Sequence, residues 1–332
     1  MDYEQYYLGI DGGQSHTTAL IADADGVILG RGLSGPSNHT REPGGRERLE
    51  RAVSESVSDA LRAAGLMERG AIGDFYFRSA HLAMTGEPED KIAIVEQILS
   101  AENLVVGHDA PGALSGALAG ADGIIVLAGT GSVAYGEMQI SKVSRRAVRV
   151  GGNGYLFGDE GSGFWIGKES LRLAIYGEDR GLFEDETFKS ALLTHFKRDQ
   201  LKTIAEDFYA GIISREQLAS FSTRIDRLAK QGDEIALGLL DQAATDLAEL
   251  AEATALQLAA TKKRLQISYG GGVFLSKSLL KQFKLLVSEL LPKAQIIAPL
   301  FTPDIGALLL AYRNANKKIT KNLLTNLQRY ES

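Results

Sequence analysis

An α/β fold in two domains is what this sequence predicts, and three observations carry the prediction. Runs at strand spacing alternate with runs at helical spacing through the first half of the chain, as in a sheet covered by helices. The strand, Gly-rich turn, strand pattern of residues 6–23 returns in weakened form at 123–138, which marks a distant duplication. A chain of 332 residues is also too long for one comfortable core and suits two domains.

Residues 6–10, 17–23 and 27–33 read as three antiparallel strands, with Gly12-Gly13 and Asp25-Gly26 at the turns. Over 46–64, Leu49, Val53, Val57, Ala60 and Leu61 recur at helical spacing. Strands at 75–82 and 104–106 flank a helix over 89–100. The halves join near 112–122, so the domains are expected at 1–115 and 116–332. The second opens with a strand over 123–128, a Gly/Thr/Ser turn over 129–132 and a strand over 133–138. It then becomes helix-rich, with amphipathic runs at 165–176, 187–196, 204–209 and 215–231. A long helix over 233–261 carries the stripe Leu237, Leu240, Ala244, Leu247, Leu250, Ala251, Thr254, Leu258, which is core packing. A strand at 265–269, a Gly270-Gly271-Gly272 turn, a helix at 277–291, a strand at 295–299 and a helix at 304–314 follow. The tail reads as a solvated terminal helix able to pack back on the first domain.

Composition removes several function classes. The formal charge of -6, from 36 basic and 42 acidic residues without a basic stripe, gives no footprint for nucleic acid. The absence of cysteine excludes disulfides, thiolate metal sites, iron–sulfur clusters and cysteine nucleophiles. No apolar run reaches the roughly 18 residues that span a bilayer. The opening MDYEQYYLGI lacks the basic leader of a signal peptide, so a cytoplasmic location is expected, with no membrane partner.

Two turns could carry phosphate chemistry. Asp11-Gly12-Gly13-Gln14-Ser15-His16-Thr17 lies between two strands, where glycines admit a phosphate to the backbone and hydroxyls can donate to it. It is neither a P-loop nor a dinucleotide fingerprint, and alone it could be an ordinary hairpin turn. Gly129-Thr130-Gly131-Ser132 repeats the chemistry in the same setting. Gly271 and Gly272 lie where a strand gives way to a helix, a place for adenine or phosphate or for a turn that needs glycine. Asp109 follows a strand and precedes a helix, as a base or an N-cap would. Asn38, in GPSNH, could bind sugar hydroxyls or stabilise its loop. Asp159 lies in the unusual run GGNGYLFGDEGSGFWIG, as a ligand or a helix cap; Trp165 of that run is placed in the core or a pocket wall.

In order, LGIDGGQSHT, GPSNH, HDAPGAL, LAGTGS, GGNGYLFGDEGSGFWIG, YGGGVF and PDIGALLLA resemble the actin, hexokinase and Hsp70 superfamily. More closely, the chain resembles the N-acetylglucosamine kinase branch grouped with the BadF/BadG/BcrA/BcrD ATPases. The resemblance covers nearly the whole chain. It implies two actin-like, ribonuclease H-like domains with nucleotide in the cleft between them, and closure that excludes water. It further implies ATP with Mg2+, contacted by Asp11, Gly12, Gly13, Gln14, Ser15, Thr17, Thr130, Gly131, Ser132, Gly271 and Gly272. Asp11 would reach the metal through water. Asp109 would be the base, and Asn38, Asp109, Thr130, Gly152 and Asp159 would hold an amino sugar phosphorylated at its 6-hydroxyl.

N-acetylglucosamine is the sugar this resemblance implies first, with glucosamine or N-acetylmuramic acid as the alternative, and a homodimer is a family habit. Two departures bear on it. Val133 stands where vertebrate-type relatives have Asn, which weakens the N-acetyl assignment, and Gln14 stands where many have a third glycine. An electron-transfer ATPase activator would need cluster-binding cysteines, which this chain lacks. A sugar-sensing repressor would carry a helix-turn-helix, for which the chain leaves no room before its first strand.

Overall fold

The computed structural model describes residues 5–38, 40–67, 72–141, 144–181, 186–261 and 264–331; His39 of the GPSNH motif lies outside them. The chain divides into two compact units, 1–122 with 298–332, and 123–297.

Unit 1 contains β1 (Tyr7–Gly12), β2 (Thr17–Ala22), β3 (Ile28–Ser34), α1 (Gly45–Ala63), β4 (Tyr76–Met84), α2 (Glu89–Val95), β5 (Ser100–His108) and α3 (Asp109–Ala117). Unit 2 contains β6 (Gly123–Ala128), β7 (Ser132–Ser141), β8 (Ser144–Gly151), α4 (Gly163–Asp179), α5 (Glu186–Phe196), α6 (Leu201–Tyr209), α7 (Arg215–Ser220), α8 (Ser222–Lys230), α9 (Glu234–Gln257), β9 (Gln266–Gly270), α10 (Lys277–Leu290) and β10 (Gln295–Ile296). The chain then returns to unit 1 with α11 (Pro303–Asn314) and α12 (Lys321–Glu331).

The duplication read from the glycine hairpins is present in the topology. The sheet of unit 1 runs β3-β2-β1-β4-β5 and that of unit 2 runs β8-β7-β6-β9-β10, which is the same order in both. In each, an antiparallel three-strand meander is extended by parallel strands.

The sheet of unit 1 is covered on both faces, which is why Tyr7, Leu8, Ile10 and all of β2 are buried without alternation. One face packs Leu8, Ile10, Ala19 and Ile21 against Leu49, Val53 and Val57 of α1. The other packs Tyr7, Leu20 and Ala22 against Ile305, Leu308, Leu309 and Tyr312 of α11 and Leu323 and Leu327 of α12. Each such aliphatic burial is worth about 1.5–3 kcal/mol. This second face draws 298–332 back to unit 1, whereas the boundary expected at 115 left only the terminal helix able to pack back on the first domain.

Several elements differ from the sequence reading. β8 was not foreseen: it is an edge strand with exposed Arg145 and Arg146, so it lacks an apolar period. The run 215–231 is two helices meeting at buried Phe221. The helix after residue 89 stops at Val95, and β10 is only two residues long.

Candidate active site

The parallel register of unit 1 aligns Gly12 with Met84 and Met84 with His108, so β1, β4 and β5 end in one row. The carboxyl ends of parallel strands are where open α/β sheets gather their ligands. Asp11 precedes the row on β1, Thr85 follows it on β4, and Asp109 follows it on β5.

Asp109 is the first residue of α3; the N-cap position belongs to His108 and has no side-chain cap bond, so the N-cap alternative does not hold. Its carboxylate is partly exposed, and its Oδ2 accepts a hydrogen bond from the Thr85 hydroxyl at 2.9 Å. The Thr85 N–H donates to the Gly12 carbonyl at 2.9 Å, so the first hairpin and Asp109 share one tether.

Asp304, in the first turn of α11, completes a group of three carboxylates, with α3 and α11 in close contact. A Cβ on Gly306 would lie 1.9 Å from the Gly112 carbonyl oxygen, so only glycine permits this approach. Burial, then Asp304, then Asp109 raise the Asp11 carboxyl to about 7. A cation beside Asp11 would relieve that cost, which fits the expected magnesium. Among the described residues no group of three His, Cys, Asp or Glu is placed to hold a metal ion.

The first hairpin is closed by Gly13 N–H to the His16 carbonyl at 3.0 Å, with Gln14 and Ser15 exposed at its tip. Thr17 is buried, and its hydroxyl has no partner. Ser37 N–H donates to the Gly13 carbonyl at 3.2 Å and places the Asn38 loop against the hairpin. Asn38 is buried, its carbonyl accepts from Arg48 Nε at 3.2 Å, and the neighbouring Ser37 hydroxyl is a second buried oxygen with no partner. Orphaned hydroxyls of this kind carry a desolvation cost that a polar ligand could offset.

In unit 2, the second hairpin is built into the start of α4. The carbonyls of Gly129 and Thr130 accept from Gly163 and Phe164 N–H at 2.8 and 3.2 Å, and Ser162 caps the helix by accepting from Trp165 N–H at 3.1 Å. Asp159 is therefore not that cap. It is buried at a left-handed φ of 64°, with Oδ1 accepting from Ser132 N–H at 3.1 Å and Oδ2 from Arg215 Nη2 at 3.3 Å. Gly131 passes so close that a Cβ would lie 2.8 Å from Asp159 Oδ1. The hydrogen bonds of Asp159 are thus within its own unit, where it buckles the hairpin to α7.

The Arg215 guanidinium also lies over the Tyr155 ring, 4.5 Å from its centroid. Gly152 N–H donates to the Ser132 carbonyl at 2.9 Å, and a Cβ there would meet the Val133 side chain at 3.1 Å. Gly271, at φ 96°, crosses Ala128 so closely that a Cβ would lie 2.3 Å from its carbonyl oxygen, while Gly272 faces open space. Trp165 is half-buried against the core of unit 2.

Sequence reasoning missed Thr85, Lys91, Asp304 and Arg215. Asp304 stood inside the PDIGALLLA motif without a role. The others sit outside every motif, and only the fold of each unit brings Thr85 and Lys91 toward Asp109, and Arg215 to Asp159.

The repeated sheet order defines the class first: this is a two-unit α/β protein of the actin-like, hexokinase-type fold. The chain belongs to the BadF/BadG/BcrA/BcrD ATPase family, whose profile matches residues 8–311. It is 29% identical over 314 residues to an N-acetylmuramic acid/N-acetylglucosamine kinase of Clostridium acetobutylicum, covering 92% of this chain and 98% of the relative. It is 29% identical over 244 residues to the glucosamine kinase GspK of Vibrio cholerae, covering 73% and 78%. Among solved structures, a Chromobacterium violaceum protein provisionally designated an N-acetylglucosamine kinase superposes with a TM-score of 0.73 at 26% identity, covering 92% of this chain and 99% of that one. No described helix is long and apolar enough to cross a membrane.

Proposed function

We propose that this protein transfers the γ-phosphoryl group of ATP to the 6-hydroxyl of an amino sugar, with N-acetylglucosamine first among the candidates. The observation that carries the reading is the gathering of Asp11, Thr85 and Asp109 at the ends of β1, β4 and β5 beside a glycine hairpin. The names of the relatives supply the sugar class.

Asp109 accepts the proton of the sugar hydroxyl as that oxygen attacks the γ-phosphorus and the bond to the bridging oxygen of ADP breaks. The resemblance gives each glycine hairpin a role in holding nucleotide phosphate: Gly12, Gly13, Gln14, Ser15 and Thr17 in the first, and Thr130, Gly131 and Ser132 in the second. Gly271 and Gly272 lie against the nucleotide's adenosine. Asp11 would hold magnesium through water, and that ion would supply charge neutralisation to the phosphates. The resemblance gives Asn38 and Gly152 roles in sugar binding. Any contact from Asp159 uses the second lone pair of its oxygens, since Ser132 and Arg215 occupy the first.

Cytoplasmic location and a homodimer complete the reading. Glucosamine is the second candidate, supported by the Vibrio relative and by apolar Val133. The test is ADP release with ATP and Mg2+ against N-acetylglucosamine, glucosamine, N-acetylmuramic acid, N-acetylmannosamine and glucose. Turnover on one amino sugar, lost in Asp109→Asn by about 10²- to 10⁴-fold, is expected. Sugar-independent hydrolysis, or none at all, would instead indicate an ATPase or a sugar sensor.

A further inference from the structure

Thr85 uses all three of its hydrogen-bonding groups at the candidate site. Its N–H donates to the Gly12 carbonyl at 2.9 Å, its hydroxyl donates to Asp109 Oδ2 at 2.9 Å, and its carbonyl accepts from the Lys91 ammonium. Lys91 is only 1% exposed, an unusual place for a charge that costs several kcal/mol to desolvate. Its hydrogen bond to Thr85 goes to a neutral carbonyl, and burial lowers its pKa against the opposing pull of Asp109, Asp90 and Glu87. A methionine would fill the same volume without that cost, so surface burial alone does not account for an ammonium here.

A carboxylate on the first residue of a helix can still rotate about its side-chain bonds. The Thr85 hydroxyl removes that freedom by holding Oδ2 and leaving Oδ1 for the acceptor hydroxyl. The same residue fixes the distance from Asp109 to the first hairpin, because its N–H extends the β1–β4 ladder. Lys91 in turn anchors the Thr85 peptide.

We propose that Thr85, braced by the buried Lys91, is a positioning residue that sets the Asp109 carboxylate in line with the phosphate hairpin. This inference rests on Asp109 being the base. Misplacing a reacting group by about 1 Å can cost on the order of 100-fold in rate. Thr85→Val keeps the shape and removes the hydroxyl, so kcat with ATP, Mg2+ and N-acetylglucosamine is expected to fall by about 10- to 100-fold. KM for ATP should change less than about twofold, and KM for the sugar, which Asp109 also contacts, should change less than kcat does. Thr85→Ser, which restores the hydroxyl, should recover most of the rate.

Lys91→Met should also lower kcat. Combined with Thr85→Val it should lower it no further, because Lys91 acts through Thr85. A Thr85→Val enzyme with wild-type kcat, additive losses in the double variant, or parallel changes in kcat, KM and melting temperature would overturn the proposal. Asp109→Asn is the control that separates the two levels. If it keeps its turnover, the base assignment itself fails; if it is inactive while Thr85→Val is unimpaired, only the positioning role fails.

Discussion

Asp11 sits where burial and the charges of Asp304 and Asp109 raise its carboxyl to about 7 from an ordinary value of 3.8. A raised folded value means a contribution to stability that is present below about pH 4 and lost as the pH rises to about 7. In the absence of nucleotide and magnesium, Asp11→Asn should therefore melt higher than wild type at pH 8, with a shallower fall in melting temperature between pH 4 and 7. The same variant should lose sugar-dependent turnover. Identical pH profiles for the two proteins would remove the electrostatic cost assigned to this carboxylate.

Arg215→Met tests the buckle on the second hairpin. It leaves Asp159 Oδ2 buried without its partner, and a loss of about 1–3 kcal/mol in urea unfolding is expected. No change would mean the pair is too exposed on its arginine side to matter. At this scale the two glycine turns were legible as connections between strands, near 11–17 and 129–132. The sequence was not legible where partners are distant in the chain, as Thr85 is from Asp109 and Asp159 from Arg215.

Among the elements, the contact between α3 and α11 bears most directly on the site, because Asp109 and Asp304 lie in the first turns of these helices. Gly306→Ala would drive a methyl group into the Gly112 carbonyl. An overpacking cost of about 1–3 kcal/mol is expected, with a drop in kcat as the helices separate. A variant with unchanged stability and rate would show that the contact is loose.

Strongly periodic elements such as α1 and α9 were legible within a few residues, since Leu49, Val53 and Val57, or Leu240, Ala244 and Leu247, must all face a core. β8 and the break at Phe221 were not. An edge strand buries too little to impose a period, and two short helices that meet end to end keep the apolar spacing of one.

For the whole molecule, the repeated glycine hairpins announced a duplication, and the shared strand order of the two sheets is its structural form. The membership of α11 was not legible, whereas the terminal helix was expected to be able to pack back on the first domain. Their apolar faces state that they pack, and only the second face of β1 and β2, which they bury, decides where. The same logic limits the substrate. Val133 is visible in the sequence and its approach to Gly152 in the structure, yet the acceptor sugar is a matter of chemistry rather than of fold.

The central claim is phosphoryl transfer to an amino sugar, and the most direct measurement follows the phosphate. With γ-labelled ATP, Mg2+ and N-acetylglucosamine, the label is expected in a sugar phosphate ester, formed in step with ADP and absent with Asp109→Asn. Label recovered only as inorganic phosphate, at a rate indifferent to the sugar, would contradict it.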